Sequence, residues 1–214
     1  MASARESIPQ AAARESIPKV GARESILAAV RRARPAVGPL PPGDEAWLGS
    51  LDLAADFARA LDAAGGRCAR AATPDAVDAE LEADPAYRRA GRIYAAVPGI
   101  RRANAGEAEL ADARAGGALD FAVVPGRLGV AESGAVWIDG DAVADRAVLW
   151  LAEHLAIVLP AAALVDHLHA AYARLRFEGA CFGVFVAGPS KTADIEQALV
   201  IGAQGPRSTL VILV

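Results

Sequence analysis

The alternation of apolar runs with polar, glycine- and proline-marked breaks predicts helices and strands in turn along most of the chain. Residues 47–64 read as a helix with Leu48, Leu51, Ala55, Ala58 and Leu61 on one face. Gly65-Gly66 ends it and residues 67–70 follow as a short strand. Thr73-Pro74 opens another helix, with threonine as cap and proline in the first turn. Residues 92–97 predict a strand closed by Pro98-Gly99, residues 106–115 a short helix, and residues 120–124 a further strand. Residues 155–159 form an apolar strand stopped by Pro160, and residues 161–175 an amphipathic stretch with Leu164, Leu168, Ala171 and Leu175 inward.

The C-terminal stretch carries the pattern furthest. Residues 181–186 are an apolar run ending in Gly188-Pro189, and residues 209–214 are a second such run. Between them, Ser190 and Thr192 suit a helix cap, and Asp194 and Glu196 suit its positive first turn. Ile195, Ala198 and Leu199 share a face, Gly202 offers a left-handed stop, and Pro206 blocks continuation. Strand, helix and strand in this order predict a βαβ unit. The expected class is therefore α/β, a mostly parallel sheet with flanking helices.

The N-terminus has another organisation. Ala4-Arg-Glu-Ser-Ile8, Ala13-Arg-Glu-Ser-Ile17 and Ala22-Arg-Glu-Ser-Ile26 repeat with a period of nine. Pro9 and Pro18 stop the first two copies from joining into one helix, and only the third runs on into a helical pattern. Residues 1–20 thus read as a mobile repeat-containing tail. Residues 21–43 read as a helix and a Pro/Gly-rich linker, and residues 44–214 as the folded domain.

Composition narrows the function. No apolar run reaches 18 residues, so no membrane span is expected, and the N-terminus lacks the apolar core of a signal peptide, which points to the cytoplasm. A net charge of −4 argues against nucleic acid as the main partner. Cys68 and Cys181 are the only cysteines, and they read as free, buried thiols. Two thiolates cannot hold an ordinary iron–sulfur cluster, so any such cluster belongs to another chain. His167 and His169 are two apart and are expected to splay to opposite flanks, so no metal site is assigned.

Three stretches carry candidate chemistry. The loop Gly188-Pro189-Ser190-Lys191-Thr192, followed by Asp194, combines amides, hydroxyls and a lysine at an expected helix N-terminus, where an anion can bind. The same features suit a helix that merely caps itself. In residues 130–134, Glu132 with Ser133 and Gly134 interrupts an apolar extended region; the glycine there marks a bulge or a close backbone approach. Glu132 is either a reactive carboxylate or one that binds nearby backbone amides. His154 stands at a strand entrance, where it can bind an anion, move a proton, or hydrogen-bond a carbonyl. Because parallel sheets bind ligands at their carboxyl ends, these three stretches are expected to meet there.

Gly188-Pro-Ser-Lys-Thr-Ala-Asp-Ile-Glu196, then Gly202 and Gly205-Pro-Arg207 before an apolar strand, resembles the C-terminal signature of the LUD domain family, and within it the lactate utilization C proteins. Gln204 stands where that family commonly has a histidine. Val130-Ala-Glu-Ser-Gly134 resembles the family's Ala-Glu-Thr-Gly motif, and Arg146 and His154 match an arginine and histidine that it often carries. The resemblance implies the fold of glucosamine-phosphate deaminases, ribose-phosphate isomerases and CoA transferases. In the last of these a strand-end glutamate is the nucleophile, a role that would fall to Glu132 with His154 beside it. It further implies a cytoplasmic part in oxidising L-lactate to pyruvate, with no cofactor on this chain and clusters on iron–sulfur lactate utilization subunits. The alternative is a stand-alone enzyme or sensor for a phosphorylated, CoA-linked or organic-acid metabolite.

Overall fold

A computed structural model of the chain describes residues 21–35, 38, 52–106, 110, 119–176, 182–193 and 199–214. The first two repeat copies, the linker beyond Pro35 (Gly38 apart), most of the expected 106–115 helix, Cys181 and Asp194 lie outside them. Helix α1, Ala22–Ala33, begins in the third repeat copy; it belongs to a separate compact unit and stands by itself here.

The expected mostly parallel sheet is present. Five strands, β1 (Arg67–Arg70), β2 (Ile93–Ala95), β3 (Leu119–Pro125), β6 (Ala152–Leu159) and β11 (Ser208–Leu213), lie in the order β1-β11-β6-β3-β2, every pair parallel. Both faces of this sheet are covered, which is why its strands read as nearly unbroken apolar runs. On one face Phe121, Val123, Ala156, Leu210 and Ile212 pack against helices α3 (Val77–Ala83) and α4 (Pro85–Arg89) through Val77, Leu81 and Tyr87. On the other, Ala122, Val124, Leu155, Ile157, Val211 and Leu213 share a cluster with Phe57 and Leu61 of α2 (Leu53–Ala63) and Val148 and Leu149 of α5 (Val148–Leu151).

That second face also receives a four-stranded sheet. Its strands β4 (Leu128–Val130), β5 (Ala135–Asp139), β7 (Leu164–Val165) and β8 (Gly183–Val186) run in the order β7-β4-β5-β8. Val136, Ile138 and Leu164 face the shared cluster, while Leu128, Val130 and Trp137 form an outer one with Ala171 of α6 (Leu168–Arg174) and with Leu175.

Several expectations are corrected. Most of the helix expected after Ser190, residues 194–198, lies outside the described residues, but both of its flanks are strands: Lys191–Ala193 (β9) pairs antiparallel with Leu199–Ile201 (β10). Gly202 has the expected positive φ of 81°, but it follows a strand rather than a helix. β8 pairs antiparallel with β5 in the smaller sheet, so β8 and β11 do not form a βαβ unit. In α2 the inward residues are Phe57 and Leu61, with Leu53 packed against them, whereas Ala55 is exposed. Three large side chains spaced four residues apart, Leu53, Phe57 and Leu61, set that face. Thr73 makes no side-chain cap, and residues 161–175 divide into a 3-10 turn, β7 and α6, with Leu168 37% exposed.

Two glycines fix how the layers meet. Gly134 (φ 65°) closes the turn between β4 and β5, and a Cβ there would fall 2.3 Å from the Leu61 nitrogen. Gly188 (φ 72°) follows β8, and its Cβ would lie 2.5 Å from the Ala64 carbonyl oxygen. Both therefore press backbone on backbone against the C-terminal end of α2. Gly99 shares the positive φ (86°) but has open space around it. Gly99→Ala should cost about 1 kcal/mol from conformation alone, whereas Gly134→Ala should cost about 3 kcal/mol as the clash displaces α2. Denaturant melts of the two variants test this, and equal losses would refute the close-approach account.

Candidate functional site

The residues directly after the five parallel strands are Ala71, Ala96, Gly126, Pro160 and Val214, whose side chains bear neither ionisable groups nor hydroxyls. The amino ends differ. There stand Arg67, Arg207 with Ser208, Glu153 with His154, Asp120, and Arg92, in the lateral order of the sheet. A cleft of ≈ 520 Å³ opens at this rim, lined by Ala86, Arg89, Ala90, Asp120, Glu153, His154 and Arg207.

Each wall is fixed by identifiable bonds. His154 lies beside Ser208 in the β6–β11 register, and its Nδ1 is 2.7 Å from Ser208 Oγ. Its side chain is 21% exposed, and Nε2 lies 3.9 Å from Glu153 Oε1. Arg207 donates from its backbone amide to the Glu153 carbonyl (2.8 Å) and from Nη1 to Glu153 Oε1 (2.7 Å). Asp120 Oδ2 accepts from the amides of Gly91 (2.7 Å) and Arg92 (2.9 Å).

Helix α4 supplies Arg89, and at five residues it is too short to persist unaided. Asp84 caps its start, accepting from the Ala86 and Tyr87 amides, and also accepts from Arg67 Nη2 at 2.7 Å. Arg102 closes its end by donating to the Tyr87 (2.6 Å) and Ala90 (2.8 Å) carbonyls, where a cation is favoured.

The expected convergence of three stretches at the carboxyl ends is not what forms. His154 occupies the amino-end rim, inside β6 rather than before it. Glu132 sits in the exposed turn after β4, and its Oε1 accepts from the Leu168 amide at 2.7 Å. Ser133 is exposed beside it, and Gly134 is buried against α2. Arg146 packs 4.8 Å over the Phe182 ring and lines a separate shallow pocket with Gly140, Asp141 and Asp145.

In the 188–192 loop, Gly188 and Pro189 are buried, the Ser190 amide donates to the Pro206 carbonyl (2.8 Å), and the Ser190 carbonyl accepts from Gly202 (2.9 Å). Lys191 is exposed and Thr192 pairs with Val200. Thr192, an expected helix cap, lies instead within β9. His167 and His169 do not splay: their ring centroids are 5.9 Å apart, and His167 Nδ1 accepts from the Ala170 amide. Among the described residues no group of three or more His, Cys, Asp or Glu is placed to hold a metal.

Arg89, Asp120, Glu153, Arg207 and Ser208 were not among the residues singled out for chemistry. For all but Arg89, which ends α4, the signal is a polar interruption at the start of a buried strand, before Phe121, Leu155 and Thr209.

These features define an α/β domain in which a parallel sheet is backed by a smaller mixed sheet and polar groups gather at one rim. The LUD domain family matches residues 55–214, and the chain belongs to that family. Lactate utilization protein C 1 of Bacillus mycoides (strain KBAB4) is 34% identical over 104 residues, which are 45% of this chain and 44% of that protein. The match thus spans less than half the length of that relative. A crystal structure of a DUF162 family protein from Deinococcus radiodurans is similar with 16% identity and a TM-score of 0.49, over 75% of this chain and 95% of that one.

Two predictions follow from the rim and the strand beside it. Ser208→Ala should cost about 1 kcal/mol and shift the ¹⁵N resonances of the His154 ring; unchanged resonances would show that Ser208 does not hold the imidazole. In β1, burial pushes the Cys68 thiol up, and nearby Arg70 only partly offsets this. Thiolate is therefore scarcer at neutral pH than for an ordinary cysteine, and alkylation of Cys68 in a Cys181→Ser background should keep accelerating above pH 9. A rate plateau below pH 8 would contradict that.

Proposed function

We propose that the chain is a component of a lactate utilization system, acting in the cytoplasm with iron–sulfur partner subunits to convert L-lactate to pyruvate. The observation that carries this reading is the 34% identity to a protein named for lactate utilization, within a shared LUD domain. The oxidation releases two electrons and two protons, one proton from the hydroxyl and one from the carbon that bears it. This chain's two cysteines do not fit a four-thiolate cluster, so the electrons pass to centres on partner chains. Among the described residues no helix is long and apolar enough to cross a membrane.

The chain's own part in this reading is to hold a small anion or to organise its partners. Glu132 is not the first choice for a nucleophile, because its carboxylate is already engaged by the Leu168 amide. His154 is better placed to handle a proton, since it lines a cleft with one ring nitrogen fixed by Ser208.

The full chain, tagged and recovered from its native host grown on L-lactate, should bring down cysteine-rich iron–sulfur proteins in near-equal amounts. Deletion of its gene should abolish growth on L-lactate and leave growth on pyruvate intact. Solitary recovery together with normal growth on lactate would overturn the proposal.

A further inference from the structure

We infer that the amino-end cleft is a binding site for a small oxyanion, a carboxylate or phosphate group gripped by Arg89, Arg207 and His154. The inference rests on the donors and acceptors that the protein leaves uncommitted there. Asp120 lines the cleft, but its Oδ2 is occupied by two backbone amides. Glu153 is engaged through Oε1 by Arg207. Arg89, by contrast, is exposed and has no ion-pair or hydrogen-bond partner among the described residues. Arg207 commits one guanidinium nitrogen to Glu153, its side chain is 65% exposed, and its other guanidinium donors are open. His154 gives Nδ1 to Ser208 and keeps Nε2 for whatever enters.

The uncommitted groups are therefore mainly donors, and an acceptor-rich ligand complements them. Guanidinium forks match carboxylate and phosphate geometry. The formal charges of Arg89 and Arg207 are balanced by Asp120 and Glu153, so the cleft does not attract anions indiscriminately; it selects a group able to reach the open donors together. Its ≈ 520 Å³ falls within the range of small-molecule sites. The opposite rim of the sheet has no comparable side chains on the residues that follow its strands. This site stands apart from the lactate reading, since any small metabolite of this chemistry would meet the same donors.

The test is calorimetric titration of the purified full chain with sodium L-lactate, sodium pyruvate and inorganic phosphate at constant ionic strength. At least one probe should bind, and which one does assigns the oxyanion to a carboxylate or a phosphate. Arg89→Glu and Arg207→Ala should each weaken that binding about tenfold or more. Arg174→Glu, an equal charge change at the end of α6, should leave it within about twofold. Arg89→Glu places an anion in the last turn of α4. Arg89→Gln, which removes the charge without adding one to this exposed position, should melt close to the wild type, lose binding likewise, and decide the matter alone if Arg207→Ala fails to fold. Binding by Arg89→Gln equal to that of the wild type, or no binding of any probe by the wild type, would overturn the inference. Neither result bears on capture of iron–sulfur partners, so failure here and failure of the lactate reading are separate outcomes.

Discussion

The backbone contact between the C-terminal end of α2 and two loops is the constraint from which the rest of the domain follows. Gly134 lies on Leu61 and Gly188 lies on Ala64, at distances that leave no room for a Cβ. The first contact seats the β4–β5 hairpin, and with it the smaller sheet, on the helix that also covers the parallel sheet. The second fixes the loop after β8, whose Ser190 amide reaches the Pro206 carbonyl. The next residue, Arg207, clasps Glu153 through backbone and side chain before the first ladder pair of Ser208 with His154. A packing contact is thus relayed through two hydrogen bonds into the geometry of the cleft. The Gly188-Pro-Ser190 stretch acts as a buttress, while Gly205-Pro-Arg207 brings the Arg207 guanidinium to the wall of the cleft.

Why the polar rim lies at the amino ends is a matter of what covers each end. Glycine, alanine, proline and valine follow the strands at the carboxyl ends, where the Gly126 amide bonds to Val158 and the Ala161 amide to Val214. These short connections satisfy their backbone groups among themselves. At the amino ends the chain enters β6 and β11 through charged residues, while α4 is held beside them by Asp84 and Arg102. The general preference of parallel sheets for carboxyl-end ligands depends on long loops at that end. Here β3 turns into β4 after two residues and β6 into a 3-10 turn after one, so little loop is left beside these two strands to carry a site.

What the sequence showed and what it hid divide along physical lines. The strands of the parallel sheet were legible because both faces are buried, so that residues 155–159 and 209–214 have no polar face to blur the pattern. Glycine positions were legible as turns, as at Gly65, Gly99 and Gly202, all with positive φ. The type of element that a glycine ends was not. Before Gly202 the spacing of Ile195, Ala198 and Leu199 suited a helix, yet Lys191–Ala193 and Leu199–Ile201 pair as strands. A three-residue strand is too short to display a period of two. The apolar run at β8 likewise could not announce which sheet it joins, because its pairing with β5 is a tertiary choice. Family membership was readable from ordered motifs, whereas the cleft was not, since its residues come from four places in sequence and meet only through the register of β3, β6 and β11 and the packing of α4 beside them.

The clasp at the rim also bears on how a ligand could enter. Arg207 and Glu153 form an ion pair with both side chains substantially exposed, 65% and 44%. Such a pair contributes at most about 1 kcal/mol after solvent screening. Its backbone half, the Arg207 amide on the Glu153 carbonyl, keeps β11 and β6 in register whether or not the side chains stay paired. An incoming carboxylate or phosphate can therefore draw the guanidinium away at little cost to the fold. The carboxylate left behind lies 3.9 Å from His154 Nε2. A rim built in this way can yield a donor to an anion while the buried sheet beneath it stays in place.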